Sequence, residues 1–442
     1  MSSVKGSKAK DSAVPAGPKG FLGRHRVFFV IVAGIVLYQV FIVGGGQRWS
    51  VGQIPYSMLA ADFGAGFTDK LLPGALFHLF FKETNETNMV IFSGVLLVLF
   101  WAALSFVLEK FYLSAEKRDR GIYAALIFLS VTGSTTIAGY LLNLGWIESF
   151  WIFTVPLFFL CLRSARTVPL TLLLCVFALT AHSSAIVCYV PFFCILLLYR
   201  LTVEQDKTAK KIILATFAVC VVVSIGLFLY FQLYAPKHLA VTYEEYRATL
   251  EARGVTDFQY PDLYVFGKSE NWGEYVTGDE PEAYREAANA MVSARENGSL
   301  IEVIRRQFIM IQTIQPVRIW GELAITAGVA LPVAVSLFVF YIKGVADKSA
   351  QKLRRFVCFC VPALFALVLL VGGGLSFDKV KWFSHAYVIS LASFMYMLYR
   401  EKDAAAAYAR GLLSRIPAPL AAVYGMIYAG VVMPFFTLGA MK

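Results

Sequence analysis

The stretch "VPALFALVLLVGGGLSFDKVKW", Val361 to Trp382, decides the class of fold. A run of hydrocarbon side chains, Val361–Val371, meets three glycines. Asp378, Lys379, Lys381 and Trp382 then appear before a second apolar run begins. Such runs recur along the 442 residues, of which 58% are hydrophobic and 16% charged. A soluble domain carries about 25% charged residues. No single water-soluble core could hide so many apolar segments, so lipid is the solvent for much of the chain.

Eleven segments read as membrane spans: 27–43, 89–108, 122–142, 146–162, 168–181, 185–199, 212–233, 319–342, 356–371, 383–399 and 418–438. The fold expected is all-α, a polytopic membrane protein of about eleven transmembrane helices with one large external helical loop. Segments 168–181 and 185–199 are short and suit half-helices meeting at Thr180–Ser184. Leu71–Phe81, with Pro73 and Gly74, is apolar but too short to span and reads as interfacial or re-entrant. A basic tail, 1–26, precedes a first bundle of about seven spans, 27–233, which includes an external loop, 44–88. A cap loop, 234–318, and a second bundle of about four spans, 319–442, complete the organisation.

The excess of basic residues reads as topogenic charge, not as a nucleic-acid footprint. With the N-terminus in the cytoplasm, alternate segments hold 25 Lys and Arg inside and 15 outside, nine of the latter in the long loop. Trp49, Trp146, Trp151, Trp320 and Trp382 then fall at the outer interface, as an aromatic belt does. All seven cysteines lie in apolar segments, which points to packing and not to a disulfide framework. No metal or cofactor constellation is apparent. In the cap loop, Thr242–Glu245 and Ser299–Glu302 form capping boxes and Gly254 a helix stop, so about three short helices are expected there.

Under this topology the unusual polar groups gather at the outer face. The first external loop holds Asp62, Asp69, Lys70 and His78, one turn holds His182, Ser183 and Ser184, and another holds Asp378, Lys379, Lys381 and His385. Ionisable groups in such places are costly and point to function. Blander roles stand beside this one. Lys379 and Lys381 suit snorkelling anchors, Asp378 and Lys381 a helix-surface ion pair, His182 a packing histidine, and Asp69 and Lys70 loop charges. In "DFGAGF" Asp62 stands beside two glycines that admit a close approach of backbone or ligand, and equally suits a helix cap. Loop aromatics Tyr260, Tyr264, Phe266, Trp272 and Tyr275 suit either stacking on sugar rings or packing of the cap.

Three stretches, "DFGAGFTDKLLPGAL", "AHSSAIVCYVPF" and "DKVKWFSHAYVISL", together with the layout, resemble bacterial envelope-glycan membrane proteins. These include glycosyltransferases that use polyprenyl-phosphate sugars and the O-antigen or capsular polysaccharide polymerases. The related motifs run Asp-x-Gly-x-Gly-Phe-x-x-Arg-x-Leu-x-Gly, His-Glu-x-x-x-x-x-x-Pro and Asp-x-x-Arg-Trp. Lys70 and Lys381 stand where those motifs have arginine, and Ser183 where they have glutamate. The resemblance implies a sugar on a polyprenyl phosphate as substrate and the cytoplasmic membrane as location. Lys70, Asp378, Lys379, Lys381 and Trp382 would bind the substrate. Asp62, or else Asp69, would be the general base, with His182 as a further proton-transfer group. A transporter or flippase for a lipid-linked or anionic substrate is the alternative, although the inverted repeat that often marks such proteins is not evident. A non-catalytic envelope scaffold is a third reading.

Overall fold

The computed structural model describes residues 21–43, 53–133, 136, 147–256, 258, 261–266, 301–302, 304–305, 317–346, 351–372, 379–401, 407–411 and 414–431. Among them the regular structure is helical, without a strand. Trp49, Trp146, Tyr260, Trp272, Tyr275, Ser299 and Asp378 lie outside the described residues, as do the tail to Gly20 and the side chain of Tyr264.

Each of the eleven apolar segments carries helix, because a backbone in hydrocarbon must satisfy its own polar groups. In chain order the helices are α1 (Arg26–Leu37), α2 (Gln53–Ala60), α3 (Leu72–His78), α4 (Glu86–Leu113) and α5 (Arg120–Val131). Next come α6 (Ile147–Cys161), α7 (Thr171–Ala181), α8 (Tyr189–Val203), α9 (Lys207–Leu229) and α10 (Tyr243–Ala252). The last four are α11 (Val317–Val339), α12 (Lys352–Leu367), α13 (Lys379–Arg400) and α14 (Ala418–Gly430). Among the described residues five stretches are long and apolar enough to cross a membrane: Glu86–Leu113, Ser183–Val203, Lys207–Lys237, Leu323–Gly344 and Lys352–Gly372.

Contacts sort the connections onto two ends of the bundle. At one end Glu109 of α4 meets the His25 ring at 2.9 Å and the Phe28 N–H at 3.2 Å. There too Asp119 pairs with Arg410, Glu401 with Arg354, and the Arg200 guanidinium donates to the Leu162 carbonyl. At the other, the loop end, Lys70 N–H donates to the Thr180 carbonyl at 3.0 Å and Ala240 N–H to the Ala65 carbonyl at 2.9 Å.

The short pair of segments is not two half-helices. Ser183–Val203 is a full-length stretch, and only α7 is short. With its leading turn from Val168, α7 rises about 20 Å, against about 30 Å of hydrocarbon in a bilayer. It packs against α3, and the loop from Asp62 to Phe81 folds over its end. That loop contains the helix α3 and no span, in agreement with its re-entrant reading. In the cap, the Thr242–Glu245 capping box forms and Gly254, at φ 83°, ends α10.

Helix α13 is the axis. Every residue from Lys379 to Leu398 is buried, including Lys379, Lys381, Ser384, His385, Tyr387, Ser390, Ser393 and Tyr396. It packs against α5, α8, α11 and α12. Ser384 and Ser393 return their hydroxyls to carbonyls one turn back, at 2.9 and 2.7 Å. Tyr341 donates to the Ser390 carbonyl, and Tyr428 shares a 3.0 Å hydrogen bond with Tyr387. The snorkelling role for Lys379 and Lys381 is thereby corrected: protein encloses both.

Gly372, first of the three glycines, lets the end of the α12 segment lie flat on the Trp382 indole. A Cβ there would stand 2.2 Å from indole carbons. Gly372→Ala should cost about 1–3 kcal/mol, read as a lower melting temperature of the detergent-solubilised protein. Gly94→Ala, where nothing lies within 4 Å, should be neutral or stabilising.

Candidate functional site at the loop end

The first loop enters the bundle through a tight segment. Asp62 caps the turn Phe63–Ala65 by accepting from Gly64 N–H at 2.9 Å. Its other oxygen lies 2.6 Å from an Arg253 guanidinium nitrogen. The Tyr246 hydroxyl accepts from the Asp62 N–H at 2.8 Å and donates to the Asp62 carbonyl at 3.0 Å. Gly66, at φ 127°, brings the chain beside Ala240, so backbone makes the close approach that the glycines allow. Asp62 thus ties the first loop to the cap helix α10.

Seven residues on, Asp69 is buried and its Oδ2 accepts from Ser183 N–H at 3.2 Å. The Ser183 hydroxyl in turn accepts from the Gln232 amide at 2.8 Å. Burial alone would raise the Asp69 pKa. The Lys70 ammonium, the His182 ring and the hydrogen bonds from Ser183 outweigh it and hold the carboxyl below its ordinary 3.8. Asp69 is therefore ionised at neutral pH. Its contribution to stability is present above the usual carboxylate range and is lost as pH falls through the lowered value.

Lys70 is 7% exposed and its backbone is left-handed, at φ 72°. The hydrogen bond to Thr180 holds it there. A non-glycine residue in this region pays roughly 1–2 kcal/mol, and such strain clusters at functional sites. On the facing turn, His182 Nδ1 accepts from Ser184 N–H at 3.1 Å. That acceptor role makes Nε2 the N–H of the neutral ring. His182 is thus set up to donate a hydrogen bond, where the sequence left the direction of its proton transfer open.

Behind His182 stands Trp151, 1% exposed. Its ring centroid is 5.5 Å from His182, 5.2 Å from His385, 5.7 Å from Tyr189 and 6.2 Å from Trp382. Its indole N–H donates to the Ala178 carbonyl at 3.0 Å. His385 Nδ1 is 2.9 Å from the Tyr189 hydroxyl.

The structure therefore gathers His182, Trp382 and His385 around Trp151 and Tyr189, with Asp69 and Lys70 beside Ser183 and His182 and Lys381 one turn before His385 on α13. Asp62 stands in the adjoining loop with Arg253. Lys379 is turned away, its Nζ 4.2 Å from the Trp320 ring centroid, because two residues on a helix differ by about 200°. Trp151 and Trp382, 1% and 7% exposed, are enclosed by protein, whereas Trp320 is 49% exposed. Phe266 packs on Tyr243 and Tyr246 at 5.5 and 5.6 Å, which corrects its sugar-stacking reading.

Tyr189, Gln232, Tyr246 and Arg253 escaped the sequence reading. Tyr189 lies in an unbroken apolar segment 196 positions from His385, and nothing local marks it. Among the described residues no group of three metal-ligating side chains converges.

Comparison of the chain with family models, with curated proteins and with solved structures finds no match in any of the three.

The two roles of Lys70, backbone and charge, are separable. Lys70→Gly should be about 1–2 kcal/mol more stable than Lys70→Ala, measured by melting in detergent, although both lose the ammonium beside Asp69.

Proposed function

We propose that the chain is a membrane-embedded glycosyltransferase or polysaccharide polymerase of the cell envelope. It would take sugars from a polyprenyl-phosphate carrier at the outer face of the cytoplasmic membrane. The observation that carries this reading is the loop-end cluster: a buried carboxylate, two buried lysines and two imidazoles within one aromatic wall. The resemblance of the three sequence stretches that supply these residues adds to it. The distribution of Lys and Arg assigns that end to the outside and the N-terminus to the cytoplasm.

In this reaction the acceptor hydroxyl oxygen attacks the anomeric carbon, and the bond from that carbon to the phosphate oxygen breaks. Asp69 takes the hydroxyl proton, a role for which Asp62, tied up by Arg253, is less well placed. Negative charge gathers on the departing phosphate, where Lys70 and Lys381 stabilise it and the His182 Nε2–H donates to it. Preformed charges in a site shielded from water act strongly and need no reorganisation. Lysine meets the phosphate as a point charge, without the fork of an arginine.

The test is complementation of a deletion strain, reading envelope-glycan chain length on gels alongside the amount of protein in the membrane. Asp69→Asn should cut extension by about 10²–10⁴-fold while the protein still inserts and accumulates. Asp62→Asn, which keeps the cap to Gly64, should lose far less. Normal glycan chains in the Asp69→Asn strain would remove the proposed chemistry. Movement of a labelled lipid-linked sugar between leaflets without a new glycosidic bond would favour the flippase alternative.

A further inference from the structure

At the opposite end of the bundle, α4, α5, α6 and α13 enclose a cavity of about 390 Å³, within the range of about 300–1,000 Å³ usual for ligand pockets. Leu108, Val155, Phe159 and Met395 make its body apolar, and Lys110, Arg163 and Arg400 stand at its rim. Each of these cations lies at or just past the end of its helix, at the level where a bilayer has its headgroups.

Among the described residues, five carboxylates of that end have cationic partners elsewhere. Glu109 is with His25, Asp119 with Arg410, Glu401 with Arg354, Glu204 with Arg200 and Glu116 with Arg118. Among the described residues Lys110, Arg163 and Arg400 enter no ion pair; Lys110 lies only over the Phe106 ring, at 5.2 Å. Three cations thus line an apolar chamber, and among the described residues none of them has an acidic side chain in an ion pair with it. A second observation is independent of charge. Tyr396 lines the same cavity and is 5% exposed, and its buried hydroxyl meets no hydrogen-bond partner among the described residues. Leaving such a group unsatisfied costs about 1–3 kcal/mol.

We propose that this cavity is a binding site for an anionic phospholipid of the adjacent leaflet. The phosphate sits among Lys110, Arg163 and Arg400, an acyl chain fills the apolar body, and the Tyr396 hydroxyl donates to an ester carbonyl. A free phosphate would leave the chamber empty, and a zwitterionic lipid would leave the three cations incompletely neutralised. Basic pockets between membrane helices hold acidic lipid headgroups on the same physics. The site is separate from the loop-end cluster and does not depend on the reaction proposed there.

Native mass spectrometry of the full-length protein in neutral detergent tests this, with added phosphatidylglycerol, phosphatidylcholine of the same chains, or inorganic phosphate. One phosphatidylglycerol should be retained with about 150-fold preference over phosphatidylcholine, the fold-change that roughly 1 kcal/mol for each of three cations gives. Inorganic phosphate should not displace it. K110Q/R163Q/R400Q should bring the preference to within about twofold, and Tyr396→Phe should weaken retention of both lipids. If the triple variant fails to accumulate, Arg163→Gln alone, at an exposed position, should still reduce the preference. Equal retention of the two lipids, a preference that survives these substitutions, or displacement by inorganic phosphate would each overturn the assignment.

Discussion

Helix α13 has no face turned to lipid, and the placing of the other helices follows from that constraint. A span carrying two lysines, a histidine, three serines and three tyrosines is costly in hydrocarbon. Enclosed by α5, α8, α11 and α12, the same helix finds a hydroxyl or carbonyl for much of that polarity. The neighbours then turn their apolar surface outward: Val95, Val98 and Leu99 on α4, Val222 and Ile225 on α9 and Leu370 after α12 are all exposed. Polarity inside and hydrocarbon outside reverses the soluble pattern, as a lipid solvent demands.

The two ends of the bundle treat charge differently. Opposite the loops, carboxylates and cations meet in pairs near the helix termini, and these pairs tie together elements as far as 291 positions apart. At the loop end the charges of the cluster are buried as well, Asp69 and Lys70 at 9% and 7% exposed. Asp69 keeps its negative charge only because Lys70, His182 and Ser183 surround it. A carboxylate buried without such company would take up a proton. The strained backbone of Lys70 and the short α7 cooperate here, since the helix stops early and the loop folds into the space above it. One neighbourhood is a mechanical seam and the other a polarised chamber.

Asp62 and Asp69 show how far local sequence reaches. Both stand in one short polar stretch, both are 9% exposed, and both cap or pin backbone N–H groups. The glycines drew attention to Asp62, yet they serve the approach of Ala240, and the carboxylate goes to Arg253, 191 positions away. Asp69, less conspicuous in the sequence, is the one beside His182. Trp151 makes the same point, because its position near a span end is shared by belt tryptophans and by site walls alike.

The apolar segments and the helix that each of them carries were legible in the chain, because hydropathy is a property of short windows. Which lysine of Lys379 and Lys381 faces inward, which aspartate joins the histidines, and which tryptophan forms their wall were decided only by tertiary structure. Each depends on helix rotation and on partners up to two hundred positions distant, and packing around α13, not any local pattern, sets that rotation.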